Sequence, residues 1–181
     1  MMKLNMMTRV ALMTALTVVG SAVKIPFGAM PITLNTFFAA LSGMLLGAAG
    51  GAWAQGLFML IGLCGVPVFT FGGGPSSVLQ PSFGYIVGYI LCAWTCGTVL
   101  KKGVAPRRAA WAAAAGIGAI YSVGVPWLWC VANGVMNVEM SFAGALYAGF
   151  AVFLPGEILK GAALVFIVCK VHSHILHDKV Q

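Results

Sequence analysis

The chain has 181 residues, 61% hydrophobic and 7% charged, with a formal net charge of +7 and a mean hydropathy of +1.00. A soluble domain carries about 25% charged residues, so the composition excludes an ordinary water-soluble fold and describes an integral membrane protein. The apolar material comes in repeated, continuous runs near the roughly 20 residues that cross a bilayer as helix, which excludes a lone anchor and the alternating strands of an outer-membrane barrel.

The expected fold is all-α, a single domain of six transmembrane helices. The first covers about residues 6–23 and leads into the proline-bounded stretch "KIPFGAMPITLN". The second and third, about 35–46 and 51–63, are separated only by the small-residue turn "GAAGG". Being short, they tilt or borrow flanking residues. The irregular stretch "GVPVFTFGGGPSSVLQPS" follows, whose Gly and Pro content forbids a regular helix. The fourth helix is expected over about 81–100, with Pro81 in its first turn, the fifth over about 108–131 and the sixth over about 143–170.

Charge placement tests the count. With six crossings both termini share one side, and Lys3, Arg9, Lys101, Lys102, Arg107, Arg108, Lys170 and Lys179 fall on it. Lys24 falls in a loop on the other side and Lys160 within the membrane. The positive-inside rule then puts both termini in the cytoplasm, with the chain in the bacterial cytoplasmic membrane. The first helix also has the basic and apolar regions of a signal peptide; discarding it leaves five crossings and spoils this asymmetry. Because the cations flank helices, nucleic acid is not an expected partner.

The first and third loops combine Pro, Gly, aromatics and small hydroxyl residues with almost no charge, a composition suited to a buried, neutral ligand surface. "FGGGPSS" lacks the Gly-Lys-Ser/Thr ending and strand-to-helix setting of a P-loop, so any ATP-driven step belongs to other subunits. Glu139 and Asp178 converge with no second acid, and no enzyme chemistry is expected. His172, His174 and His177 in the tail lack the carboxylate or thiolate that completes a metal set, so neither metal nor cofactor is expected on this chain. Cys92 and Cys96 read as buried small hydrophobes.

"FLPGEILKG", residues 153–161, is the exception within the apolar runs. Lys160 lies about ten residues, or roughly 15 Å, inside the end of the sixth helix. A charge at that depth costs about 2.5 to 3.5 kcal/mol on insertion scales, and such residues face a cavity or a partner. A spacing of three puts Glu157 and Lys160 on one face, and Pro155 and Gly156 just before them open or kink the helix. The pair reads either as a self-neutralising structural ion pair or as one acceptor and one donor for a mostly neutral ligand.

These residues resemble a known family. "FLPGEILKG" is similar to the sixth-helix motif of the BioY family, the substrate-binding S components of energy-coupling-factor vitamin transporters, in which an Asp and a Lys follow the Pro-Gly. "IPFGAMPITLNTFFAALSGMLLG" resembles that family's first loop and second helix. "GLCGVPVFTFGGG" with "QPSFGYIVGY" resembles its third loop and the start of its fourth helix. The resemblance covers residues 8 to 170. It implies high-affinity biotin binding and uptake through an S-component-like bundle, with a pocket closed by the first and third loops.

The substrate-binding residues it implies are Glu157, Lys160, Tyr85, Tyr89, Ser82, Gln80, Phe71, Gly73, Thr33 and Asn35. Glu157 would accept from ureido N–H groups and Lys160 donate to a ligand oxygen, with Phe71, Tyr85 and Tyr89 packing on the apolar body. Three departures stand out: Gln80, Ser82 and Phe83 replace Gly, Thr and Gly, Glu157 is one methylene longer than Asp, and the fourth-helix arginine has no counterpart between residues 82 and 100. Lys24 or a backbone nest is the expected substitute for that arginine. Ala11 and Ala15 form a small-xxx-small pair that the resemblance turns into a docking face for a transmembrane T subunit. Two ATPases complete such a transporter, and self-association is the arrangement for a solitary member. Other readings of the same architecture are an S component or facilitator for another vitamin or nucleobase, and a membrane enzyme.

Overall fold

A computed structural model describes residues 4–25 and 32–177, with side chains over 4–24 and 33–171. Helix α1 (Leu4–Ala22) leads to a two-residue strand, β1 (Lys24–Ile25), which pairs antiparallel with β2 (Ile32–Thr33). Helix α2 (Asn35–Leu63) is followed by a 3-10 turn at Pro75–Leu79 and by α3 (Phe83–Leu100). The chain ends with α4 (Pro106–Gly134), the short α5 (Phe142–Gly149), a 3-10 turn at Ala151–Phe153 and α6 (Leu154–His177). Among the described residues, five helical stretches are long and apolar enough to cross a membrane. Large apolar side chains such as Leu4, Trp111, Tyr147, Leu159 and Phe166 point outward, which fits lipid as the surrounding solvent. The protein is a multi-pass membrane protein.

Two features amend the all-α expectation. The first loop carries the β1–β2 ribbon, with Lys24 opposite Thr33 and Ile25 opposite Ile32, because the ribbon gives this stretch's backbone groups partners. The third loop adds an isolated bridge between Phe69 and Gly72. Pro81 sits in a turn just ahead of α3, not in its first helical turn. The last expected helix is broken: Phe150 leaves helical geometry and a 3-10 turn precedes α6. Pro155 explains the position of the break, since it has no N–H for the residue four back and its ring clashes with that carbonyl. It is tolerated in the first turn of α6, where its N–H would be unpartnered anyway.

Helix α2 is two arms, 35–46 and 48–63, joined at Gly47, whose φ of 77° and ψ of 175° leave the helical region. The arms fold back on each other. Gln55 donates to the Ser42 hydroxyl at 3.1 Å, whereas thirteen residues along a straight helix would separate them by about 20 Å. Glycine permits the approach: a Cβ on Gly51 would lie 2.6 Å from the Gly43 Cα, and one on Gly43 would lie 2.0 Å from the Ala93 carbonyl oxygen. The buried Gln55 amide also donates to Thr17, and Thr14 donates to the Ala54 carbonyl, so α1 is pinned to the hairpin by polar contacts. Helix α3 lies between α2 and α4, and α6 closes the bundle against both α2 and α4.

The Gly47 turn lies beside Gly97 near the end of α3, and Met6 packs on Gly50. Lys170 shares a groove with Pro106. One end of the bundle therefore gathers Arg9, Lys101, Lys102, Arg107, Arg108 and Lys170. The ribbon and the third loop lie at the other end, where Leu34 donates to the Gly20 carbonyl. A Gly43→Leu substitution should force the hairpin from α3 and destabilise the protein by about 1 to 3 kcal/mol, as overpacking does. A lowered unfolding midpoint in detergent would show it, with Gly56→Ala, at an open position, as the control that moves little.

Candidate ligand-binding site

Helix α6 begins at Leu154, so its first turn carries Glu157 and its second Lys160, both on the face turned to the start of α2. The Lys160 ammonium donates to the Glu157 carboxylate at 2.5 Å, to the Thr36 hydroxyl at 2.6 Å and to the Thr33 carbonyl at 3.2 Å. Those three acceptors match the three N–H groups of an ammonium. The Thr36 hydroxyl in turn donates to the same Glu157 oxygen at 3.1 Å. Glu157, Lys160 and Thr36 form a closed triangle in which the carboxylate is buried at 3% exposure. Mutual neutralisation is what makes the burial tolerable, because a lone charge taken from water costs several kcal/mol.

The triangle is the floor of a cavity at the ribbon end of the bundle. Its walls are Thr33, Thr70, Ser82, Tyr85, Tyr89, Tyr121 and Phe153, and its free volume is about 60 Å³. Tyr85 and Tyr121 meet edge to face at 5.7 Å, and Tyr121 meets Phe150 at 4.8 Å. The Tyr85 hydroxyl donates to the Gly149 carbonyl at 2.9 Å, which fixes the ring against the end of α5. Among the described residues, the buried Ser82 hydroxyl in this wall has no protein partner. An unpartnered polar atom in a cavity wall is unfavourable until a ligand group or water satisfies it. At the rim, Lys24 donates to the carbonyl of Thr70 at 2.8 Å, linking the first loop to the third.

Ligand pockets generally enclose about 300 to 1,000 Å³, so this cavity, as it stands, holds only a few waters. A larger apolar groove of about 420 Å³ opens between α4 and α6, lined by Ala113, Ile117, Phe150, Ile158, Gly161 and Val165, and Glu157 is also part of its wall. The carboxylate thus separates a polar cavity from an apolar one.

The residues singled out from sequence divide. Glu157, Lys160, Tyr85, Tyr89, Ser82 and Thr33 meet in the one cavity. Asn35 is buried at the start of α2, outside its lining. Phe71 and Gln80 line a separate apolar hollow with Leu128, Met136 and Met140; Gln80 donates to the Phe71 carbonyl at 3.5 Å and accepts from the Trp127 indole at 3.2 Å. Gly73 is a close-packed turn position, where a Cβ would sit 2.2 Å from the Val66 oxygen. Ala11 and Ala15 lie on the exposed face of α1 beside Leu12 and Val19. The histidine side chains of the tail lie outside the described residues.

Thr36, Thr70, Tyr121 and Phe153 line the cavity without having been singled out. Tyr121 left a signal, a lone hydroxyl-bearing ring amid the Ala and Gly of α4. Thr36 lies one residue beyond the "PITLN" stretch, and nothing local distinguishes Thr70. Removing one charge of the pair should be worse than removing both. Glu157→Gln or Lys160→Met alone should cost about 3 to 5 kcal/mol, whereas the double variant recovers much of it; thermal unfolding of the three proteins in detergent is the measurement.

Comparison with known proteins gives one answer. A family model described as the BioY family matches residues 1–177. The probable biotin transporter BioY of Lysinibacillus sphaericus is 40% identical over 143 residues, covering 78% of this chain and 73% of that one. The biotin transporter BioY of Thermotoga maritima is 38% identical over 162 residues, covering 87% and 89%. A 2.1 Å crystal structure of the S-component for biotin from an ECF-type ABC transporter superimposes with a TM-score of 0.81 and 28% identity, covering 96% of this chain and 95% of that one.

Proposed function

This chain belongs to the BioY family, and we propose from that premise that it binds biotin and takes it up as the substrate-specific component of an ECF-type transporter. The observation that carries the reading is the Glu157–Lys160–Thr36 triangle at the base of an aromatic-walled cavity. Biotin presents a cyclic urea with two N–H donors and one carbonyl acceptor, an apolar thiophane ring and a valerate chain. Glu157 supplies the acceptor for the N–H groups and Lys160 the donor for the urea carbonyl. Tyr85, Tyr89, Tyr121 and Phe153 supply apolar and edge-polar contact for the fused rings, and Ser82 offers an unpartnered hydroxyl. Because the ammonium's three N–H groups are already engaged, the ligand enters by exchange: the urea replaces part of the internal pairing while the charges stay matched. A free volume of about 60 Å³ is smaller than a vitamin-sized ligand needs, so on this reading the cavity expands as the exchange occurs.

The fold supports six crossings with both termini in the cytoplasm. The reversal at Gly47 turns α2 into two passes, and the cations of one bundle end follow the positive-inside rule. That orientation puts the ribbon, the third loop and the cavity mouth on the outer face of the cytoplasmic membrane. The exposed small-residue face of α1 around Ala11 and Ala15 suits close helix contact in lipid and is assigned to a T subunit, with two ATPases as the source of ATP-driven work. In a solitary arrangement the same face serves self-association.

Purified protein should retain labelled biotin saturably at nanomolar to low micromolar ligand, and unlabelled biotin should displace it where other vitamins and nucleobases do not; an absence of saturable retention at high micromolar biotin would sink the reading. Lys160→Ala and Thr36→Val should each weaken retention by about tenfold or more, the loss of a charge-assisted hydrogen bond being worth about 1.5 to 3 kcal/mol, while Thr36→Ser keeps most of it. Ala15→Leu should leave biotin retention intact and reduce uptake by cells that express the energising subunits.

A further inference from the structure

We propose that Lys24 is the counter-ion of the ligand's carboxylate, and that in binding it the ligand fastens the first loop to the third. The inference rests on the biotin reading above, from which it takes a ligand with a polar ring at one end and a carboxylate on a flexible chain at the other.

Two independent placements put Lys24 at the cavity rim. In the ribbon it stands directly opposite Thr33, and directly opposed residues of an antiparallel pair project from the same face of the ribbon with Cβ atoms about 4.5 to 5.5 Å apart. Its ammonium also reaches across to the Thr70 carbonyl at 2.8 Å. Thr33 and Thr70 both line the cavity. The floor is fixed from the other side by Lys160, which donates to the carbonyl of the same Thr33. Thr33 is thus flanked by two lysines, one at the depth of the triangle and one at the mouth.

Charge matching separates the two lysines. Lys160 is neutralised by Glu157, the one ion pair among the described residues. Lys24 is held by a neutral carbonyl, and among the described residues no carboxylate pairs with it. An ammonium has three donors, and among the described residues only Thr70 accepts from this one, so a carboxylate can be added without breaking the latch. The remaining described cations gather at the opposite end of the bundle. Helix α3, which contributes Tyr85 and Tyr89 to the wall, carries no basic residue between Phe83 and Leu100. A carboxylate leaving the cavity through its mouth therefore meets Lys24 and no other described cation. Shared between Thr70 and the carboxylate, the Lys24 ammonium ties both loops to the ligand.

The competing account is a latch alone, in which Lys24 orders the loops and never touches ligand. A cycle of two ligands and three proteins separates the accounts: dissociation constants of biotin and of its uncharged amide, measured for the wild type, Lys24→Met and Lys24→Arg. Lys24 is exposed, so the expected preference of the wild type for biotin over the amide is modest, about three- to tenfold. It should shrink between about 0.02 and 0.5 M salt, as screening requires. Lys24→Met should cost biotin more than the amide and so abolish the preference, whatever loss of the Thr70 contact the two ligands share, and Lys24→Arg should keep the preference. A preference that survives Lys24→Met overturns the proposal, and so does an equal loss for both ligands, the signature of a latch. Should Lys24→Met fail to fold, the wild-type salt series decides, and a preference insensitive to salt overturns the assignment. If the wild type binds neither ligand, the biotin reading itself fails and this assignment with it.

Discussion

A buried carboxylate and a partly buried ammonium 2.5 Å apart set the terms for the rest of this structure. Neither charge is tolerable there alone, so the bundle must bring acceptors to Lys160 and a donor to Glu157. It does so with the first residues of α2 and the strand before them: Thr33 offers a backbone oxygen and Thr36 a hydroxyl that accepts from one partner and donates to the other. These contacts span more than 120 residues of sequence and join the opening of the second helix to the last. The break ahead of Pro155 lets α6 begin where its first turns face that opening.

The position of α2 is held from elsewhere. Its first arm reverses at Gly47 and packs on its second through Gly43 and Gly51, with Ala93 of α3 in contact behind it. The Thr17–Gln55–Ser42 hydrogen bonds join α1 to both arms. In lipid, where apolar burial contributes little between helices, close backbone approach and interhelical hydrogen bonds are the interactions that hold helices together. The consequence is a division of labour. Helices α2, α3, α4 and α6 surround the site, while α1 is packed mainly on α2 and turns Leu12, Ala15 and Val19 outward.

The loops complete the division. The ribbon is only two residues long on each strand, yet it places Thr33 in the cavity wall and Lys24 at its rim. Through the Lys24–Thr70 contact the first loop holds the third beside the cavity. An ion pair fixes the floor of the cavity, and among the described residues the Lys24–Thr70 hydrogen bond joins the two loops at its mouth.

Membrane class, helical content and the unusual character of Glu157 and Lys160 were determined by the sequence alone, because each is a local property: apolar run length, Pro and Gly placement, and the cost of charge in hydrocarbon. A spacing of three put the two charges on one helical face whatever surrounded them. The tertiary structure decided which partners that face meets. Thr36 and Thr70 resemble every other threonine in the chain until α6 docks on α2 and the third loop folds over the bundle, and Phe71 and Gln80, local neighbours of the site, were carried into a different hollow by the turn before α3. The two-arm path of α2 was written in its glycines, but the contact of Gly51 with Gly43 exists only once the arms close. Composition fixes the solvent that a segment must face; which distant side chains share a cavity is set by packing, and packing has no local signature.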